Sequence, residues 1–191
     1  VTDDLGNTYT KLFEHTKAAG VAEDGVTISA WMCKPTTQIE TTSTITLTIG
    51  TARTAKAMRA FKRSITNTPQ KDDNVGAAGT GTSTTVTSST ISSIERLWVG
   101  FFGGETGTSL AITDDADYTS AGKSGSGAGG ATNVLVYMAS RVATITSDTF
   151  ALTVDSSVDW VTGIVAIAEV TAGSVGELRR RRRIGVLGQR G

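Results

Sequence analysis

Glu95–Arg96–Leu97–Trp98–Val99–Gly100–Phe101–Phe102–Gly103 is the stretch on which the fold turns. A strand wetted on one face alternates apolar with polar residues, whereas a strand covered on both faces runs apolar almost without a break. This run predicts a central strand buried on both sides, with Trp98 in the core. Working outward, Ser43–Gly50 shows the complementary pattern, with Ile45, Leu47 and Ile49 set against Thr44, Thr46 and Thr48. That is the signature of a half-buried strand with a polar outer face. Gly25–Cys33 places Val26, Ile28, Ala30 and Met32 on one face and Trp31 on the other. Asn7–Thr16 alternates Thr8, Thr10 and Leu12 with Tyr9, Lys11 and Phe13, a first strand.

Further strands are predicted at Ser83–Ser89, Asn133–Val142, Asp148–Val154 and Asp159–Val170, with a weaker one at Ser109–Tyr118. Ala52–Ile65 is ambiguous: Ala55–Phe61 contains good helix formers, yet it also reads with period two, and a strand suits the neighbouring sheet better. Thr66–Thr82 holds Asn67, Pro69, Asp72, Asp73, Asn74 and three glycines, which reads as a long surface loop. Gly104–Gly107 reads as a turn, and Ala121–Ala131 as a flexible Gly/Ser segment. The sum is an all-β chain, an antiparallel β-sandwich or jelly roll of about 8–10 strands over residues 1–172. Residues 173–191 then form a basic tail. No internal repeat is visible, which argues against a propeller or solenoid.

Composition agrees with this pattern. The 191 residues are rich in Thr, contain 22 Gly and only 2 Pro, and are 38% hydrophobic. Such a chain favours pleated, half-buried surfaces joined by turns. The net charge of zero conceals an asymmetry. Residues 1–176 carry 12 Lys and Arg against 17 Asp and Glu, a balance of −5, while residues 177–191 carry six Arg against Glu177. Binding of nucleic acid needs clustered cations, so the body is not expected to bind it, while the tail stays open to it. Cys33 alone cannot form an internal disulfide or a Cys-based zinc site, and its apolar flanks predict a buried, inert thiol. No run approaches a membrane-spanning length, and the first residues lack a signal-peptide pattern.

Several constellations of residues bear on chemistry, and each also has a plainer explanation. His15, the sole histidine, would need a carboxylate and a nucleophile beside it to act as a general base. Glu14 points to the opposite face of a strand, so a solvent-facing histidine is the better reading. Gly125, Gly127 and Gly130 match GxGxxG, and Gly122–Lys123–Ser124 resembles part of a phosphate loop. Both lack the strand-to-helix turn that would aim backbone N–H groups at a phosphate. Asp114, Asp115 and Asp117, joined by Asp3, Asp4, Asp72 or Asp73, could supply oxygens to Ca²⁺, although solvated turn aspartates are the favoured explanation. Glu95 and Glu169 are the candidates for paired catalytic carboxylates, with an ion pair to Arg96 or Arg141 as the alternative. Trp31 and Trp160 could stack on sugars or fill the core. No catalytic residue, metal or cofactor is expected.

The segments Asp4–Thr10, Ile28–Trp31 followed by Pro35, Ile45–Gly50, Ala55–Met58, Glu95–Val99 and Ser157–Trp160 together resemble structural proteins of tailed phages. The resemblance is to β-sandwich domains of minor tail, fibre and head-decoration proteins, and it spans roughly residues 1–170. It implies a packing or host-facing role in a virion, among other virion proteins and copies of itself, without turnover. The charged piece Ala55–Arg63 and the arginine tail do not belong to that pattern.

Arg179, Arg180, Arg181, Arg182 and Arg183 cannot all face one core, because on a strand they alternate faces and on a helix they surround it. Guanidinium groups pair with carboxylates or phosphates, so an ordered arginine run implies an acidic partner. Ile184, Val186 and Leu187 follow as a short apolar patch. The expectation is an anchor that docks the arginines on an acidic virion neighbour while these three residues fill a groove or add an edge strand. DNA inside a particle is the rival partner, and a solvated tail without a partner is the plainer reading. A carbohydrate- or host-surface-binding module, and after it a glycan hydrolase using Glu95 or Glu169, are the alternative functions.

Overall fold

The computed structural model describes residues 1–17, 25–49, 55–106, 109–127 and 133–170. These residues form ten strands and no helix: β1 (Thr2–Asp3), β2 (Thr10–Thr16), β3 (Thr27–Met32), β4 (Ile45–Thr46), β5 (Thr68–Thr87), β6 (Ile94–Gly104), β7 (Ile112–Thr113), β8 (Thr119–Gly125), β9 (Leu135–Ile145) and β10 (Thr149–Val170). The main sheet runs β5-β10-β6-β9-β8, with β7 pairing the early part of β10. Pairs β1–β4 and β2–β3 form two smaller sheets. Every pairing is antiparallel.

The run that opened the sequence reading becomes β6, hydrogen-bonded on both sides, to β10 and β9. Successive side chains leave opposite faces of a strand. Trp98 and Phe102 enter one core cluster with Tyr137, Ala139, Ile164 and Ala166. Val99 and Phe101 enter a second with Met138, Val161 and Val165. Trp98 and Phe102 have no exposed surface. The continuity of the apolar run thus has a direct cause: both faces of β6 are covered.

On the second face lies the β2–β3 pair, bringing Leu12, Phe13, Val26, Ile28 and Ala30. Gly76 and Gly163 are opposite each other in β5 and β10. A Cβ on either would sit 2.8 Å or 2.5 Å from atoms of the Phe13 ring. The bare glycine pair is therefore the seat of that ring, which also stacks on Phe101 at 6.3 Å with planes 9° apart.

The first face is covered by the two-stranded ribbon formed from the end of β5 and the start of β10. Phe150 is paired with Val86, whereas Gly100 lies beside Ile164 of the same strand β10. A straight strand rising roughly 3.3 Å per residue would hold residues 150 and 164 on the order of 45 Å apart. Yet the Phe150 ring is packed directly on Gly100. The β5–β10 ribbon therefore doubles back over β6. The corner is the register break between Thr153 and Val158, opposite Gly81, whose φ of 141° suits a residue without a Cβ.

Six expectations are corrected. Thr66–Thr82 is not a loop, because Thr68–Thr87 is one strand laddered to β10. Ala121–Ala131 is not wholly a loop either, since β8 reaches Gly125; residues 128–131 lie outside the described residues. Residues 55–65 are neither helix nor strand; they run across the molecule, with Arg59 donating to the Ala121 carbonyl and Phe61 packing on the second core. Ser43–Gly50 keeps its alternation in burial over residues 43–49, yet only Ile45–Thr46 pairs, with β1. The weak candidate Ser109–Tyr118 shrinks to Ile112–Thr113, and the two final segments merge into β10.

Candidate functional site

The charged side chains that chemistry would need are held in fixed contacts. Arg96, 1% exposed, is the deepest cation. Its Nε donates to Asp72 Oδ2 at 2.6 Å, Nη1 to the Ser92 and Ile94 carbonyls, and Nη2 to Ser92 Oγ, while Nη2 also pairs with Asp72. All five guanidinium donors are thereby used, which is what a buried arginine requires. Glu95, its sequence neighbour, is exposed and is not its partner.

Arg141 lies at the centre of a second network. It makes a two-pronged contact with Asp148, through Nε at 2.6 Å and Nη2 at 2.5 Å, and its Nη1 pairs with Asp117 at 2.9 Å. The buried Asp148 also accepts the Tyr118 hydroxyl at 2.7 Å. Burial first, and then that hydrogen bond, push the Tyr118 phenol far above its ordinary range. The Tyr118 ring lies under the Arg141 guanidinium and packs edge-on against Phe150. This arrangement locks the β9–β10 turn to the doubled-back ribbon. Arg96 and Arg141 pair with aspartates, so the salt bridge offered as one alternative for Glu95 and Glu169 is not formed. Asp148 was not foreseen as a partner, although its place in the turn seven residues after Arg141 was a signal.

The acidic candidates do not converge. Asp115 accepts the backbone N–H groups of Asp117 and Ala151, and Asp117 serves Arg141. Asp72 is at Arg96, and Asp73 accepts the Ser89 N–H. Asp3 holds its own turn, accepting from Leu5, Asn7 and Tyr9. Burial opposes ionisation of Asp3, but the bonds from Asn7, Tyr9 and Leu5 keep its carboxyl below the usual value. Burial and the same aspartate push Tyr9 up to about 12. Among the described residues, no group of three or more His, Cys, Asp or Glu is arranged to hold a metal.

Glu169 accepts the N–H groups of Thr66 and Asn67, and both it and Glu95 are exposed. Neither sits in the apolar pocket that a glycosidic general acid needs. His15 is half-buried on β2, its ring 6.2 Å from that of Phe13. Cys33 is half-buried rather than fully buried, and burial, followed by Asp3, pushes its thiol up. Lys123 lies in β8 and donates to the Leu110 carbonyl, so Gly122–Lys123–Ser124 is strand and not a phosphate loop. Gly130 lies outside the described residues.

Trp98 and Trp160 are core residues. Trp31 keeps partial exposure, with Lys11 Nζ 5.3 Å from its ring centre and its Nε1 donating to Ser29. A shallow hollow between β5, β7 and β10, bordered by Thr84, Thr113, Asp114 and Leu152, contains no cation among its lining residues. Arg179–Arg183, Ile184, Val186 and Leu187 lie outside the described residues. Among known proteins, no family model, no curated sequence and no solved structure matches the chain.

Proposed function

We propose that the chain is a non-enzymatic structural module of a tailed-phage virion, a β-sandwich of jelly-roll type that packs on or decorates the tail or capsid. The observation that carries this reading is an acidic, all-β body joined to a run of five arginines and an apolar patch. Such a molecule is built to hold neighbours through charge and sheet edges. The phage-like segments support it by where they fall. Glu95–Val99 lies in the central strand, Ile28–Trp31 in the pair that caps one face, and Ser157–Trp160 where the ribbon resumes its ladder after the corner. The internal spending of Arg96, Arg141 and their aspartates on the fold fits a binding role better than turnover. Deleting residues 177–191 tests the proposal in particles assembled from the remaining virion proteins. The body should stay folded by circular dichroism and be lost from the particle; normal incorporation would refute the anchor.

A further inference from the structure

Among the described residues β5 pairs only with β10, so one side of its backbone offers N–H and C=O groups to an incoming strand. Edge strands are ordinarily blunted by charge, proline or bulges. β5 is blunted at both ends. Pro69, Lys71 and a register shift before Asp73 guard its start, and the corner at Gly81 closes the other end. Between them, Asn74–Thr80 keeps unbroken register with Val165–Asp159 and contains neither charge nor proline. This open window is a template for an added strand.

The residues after Val170 supply a fitting occupant. Val170 is opposite Thr68, so the chain leaves the sheet at the start of β5. Running back along its own β5 it would lie parallel, a pairing that needs a crossover, whereas the same segment from a second copy can enter antiparallel. Antiparallel entry with Ile184–Gly188 along the window sends Arg179–Arg183 past Gly81 toward the corner. That corner carries Asp155, exposed although one carboxylate oxygen accepts the Ala111 N–H, and Asp159, with Glu105 donating its backbone N–H to the Asp159 carbonyl. Lys17, paired with Asp159 at 2.5 Å, is the cation there.

We propose that residues 179–188 of one copy dock on the β5 edge of the next, with Ile184–Gly188 extending the sheet along Asn74–Thr80 and the arginines meeting the acidic corner. This rests on reading residues 173–191 as an anchor and names what the anchor grips. Donor and acceptor surfaces differ, so the contact is head-to-tail and joins copies into rings or open chains according to its rotation.

The test is sedimentation of the full chain over a range of concentration. Concentration-dependent oligomers are expected, capped by excess of a peptide of residues 177–191. Ala78 is exposed in the middle of the window, so Ala78→Lys should weaken association at least tenfold while leaving circular dichroism and melting unchanged. Asp155→Asn should weaken it less. A full chain that stays monomeric overturns the inference. So does association undiminished by Ala78→Lys, or by replacing all five arginines with serine. If this inference alone fails, loss of residues 177–191 still removes the protein from particles; if the virion reading fails, incorporation is unaffected while self-association remains.

Discussion

Residues 43–49 and β5 exchange the roles that their sequences suggest. The first alternates Thr with Ile or Leu, and its burial follows that alternation residue by residue. Only Ile45–Thr46 finds a ladder partner, the two-residue β1. β5 contains Pro69, two adjacent aspartates and three glycines, a composition suited to a loop, yet it is laddered from Thr68 to Thr87. The difference is the neighbour. β10 is apolar and buried along most of its length, so whatever lies beside it must satisfy its backbone groups. The glycines of β5 admit rings from both faces: Phe13 over Gly76, and Trp160 over Gly79. Strand formation at β5 is imposed by its partner and by what rests on it.

Four substitutions break or sharpen this contrast. The largest effect is expected from Phe150→Ala, which removes the knob holding the doubled-back ribbon on Gly100 and should lower stability by about 3–5 kcal/mol in urea unfolding. Next is Asp72→Ala in β5, which strands the Arg96 guanidinium. A loss of about 3 kcal/mol is expected, at the low end of the buried-pair range because Asp72 keeps 37% side-chain exposure. Gly79→Val improves β propensity on paper but puts a Cβ 2.6 Å from the Trp160 ring. Unfolding should show a loss of about 1–3 kcal/mol, and stabilisation would mean that local pattern, not packing, makes β5 a strand. Leu47→Ala, on the alternating but barely paired stretch, should lower stability by only about 1 kcal/mol.

A pH titration adds a smaller, signed effect. The hydrogen bond from Lys17, then that from Thr80, holds the Asp159 carboxyl below its ordinary value of 3.8. A depressed folded-state value means stability that is present above 3.8 and lost as pH falls through the folded value. Lys17→Ala should therefore lower stability slightly above pH 3.8 and flatten the acid limb below it, so that the variant and the wild type converge at low pH. An acid limb identical to wild type would show that this pair does not contribute.

The candidate site was less legible than the fold. Asp114, Asp115 and Asp117 cluster in sequence, but Asp115 holds a turn and Asp117 reaches Arg141. The aspartate that matters most to Arg141 is Asp148, which drew notice only as the start of a strand. Side-chain partners across a sheet depend on register, which short-range pattern does not carry. The β5 edge was invisible for the same reason, since its sequence was read as a loop.

By itself the sequence determined the β class, the buried central strand around Trp98, the β3 face of Val26, Ile28 and Ala30, and the separation of acidic body from basic tail. Those properties follow from local period and charge count, which survive in any tertiary arrangement. Only the tertiary structure decided that residues 68–82 of β5 and the strand β8 are laddered, that β10 bends over β6, and which aspartate meets which arginine. These depend on contacts between residues far apart along the chain, and no single segment contains its own partner.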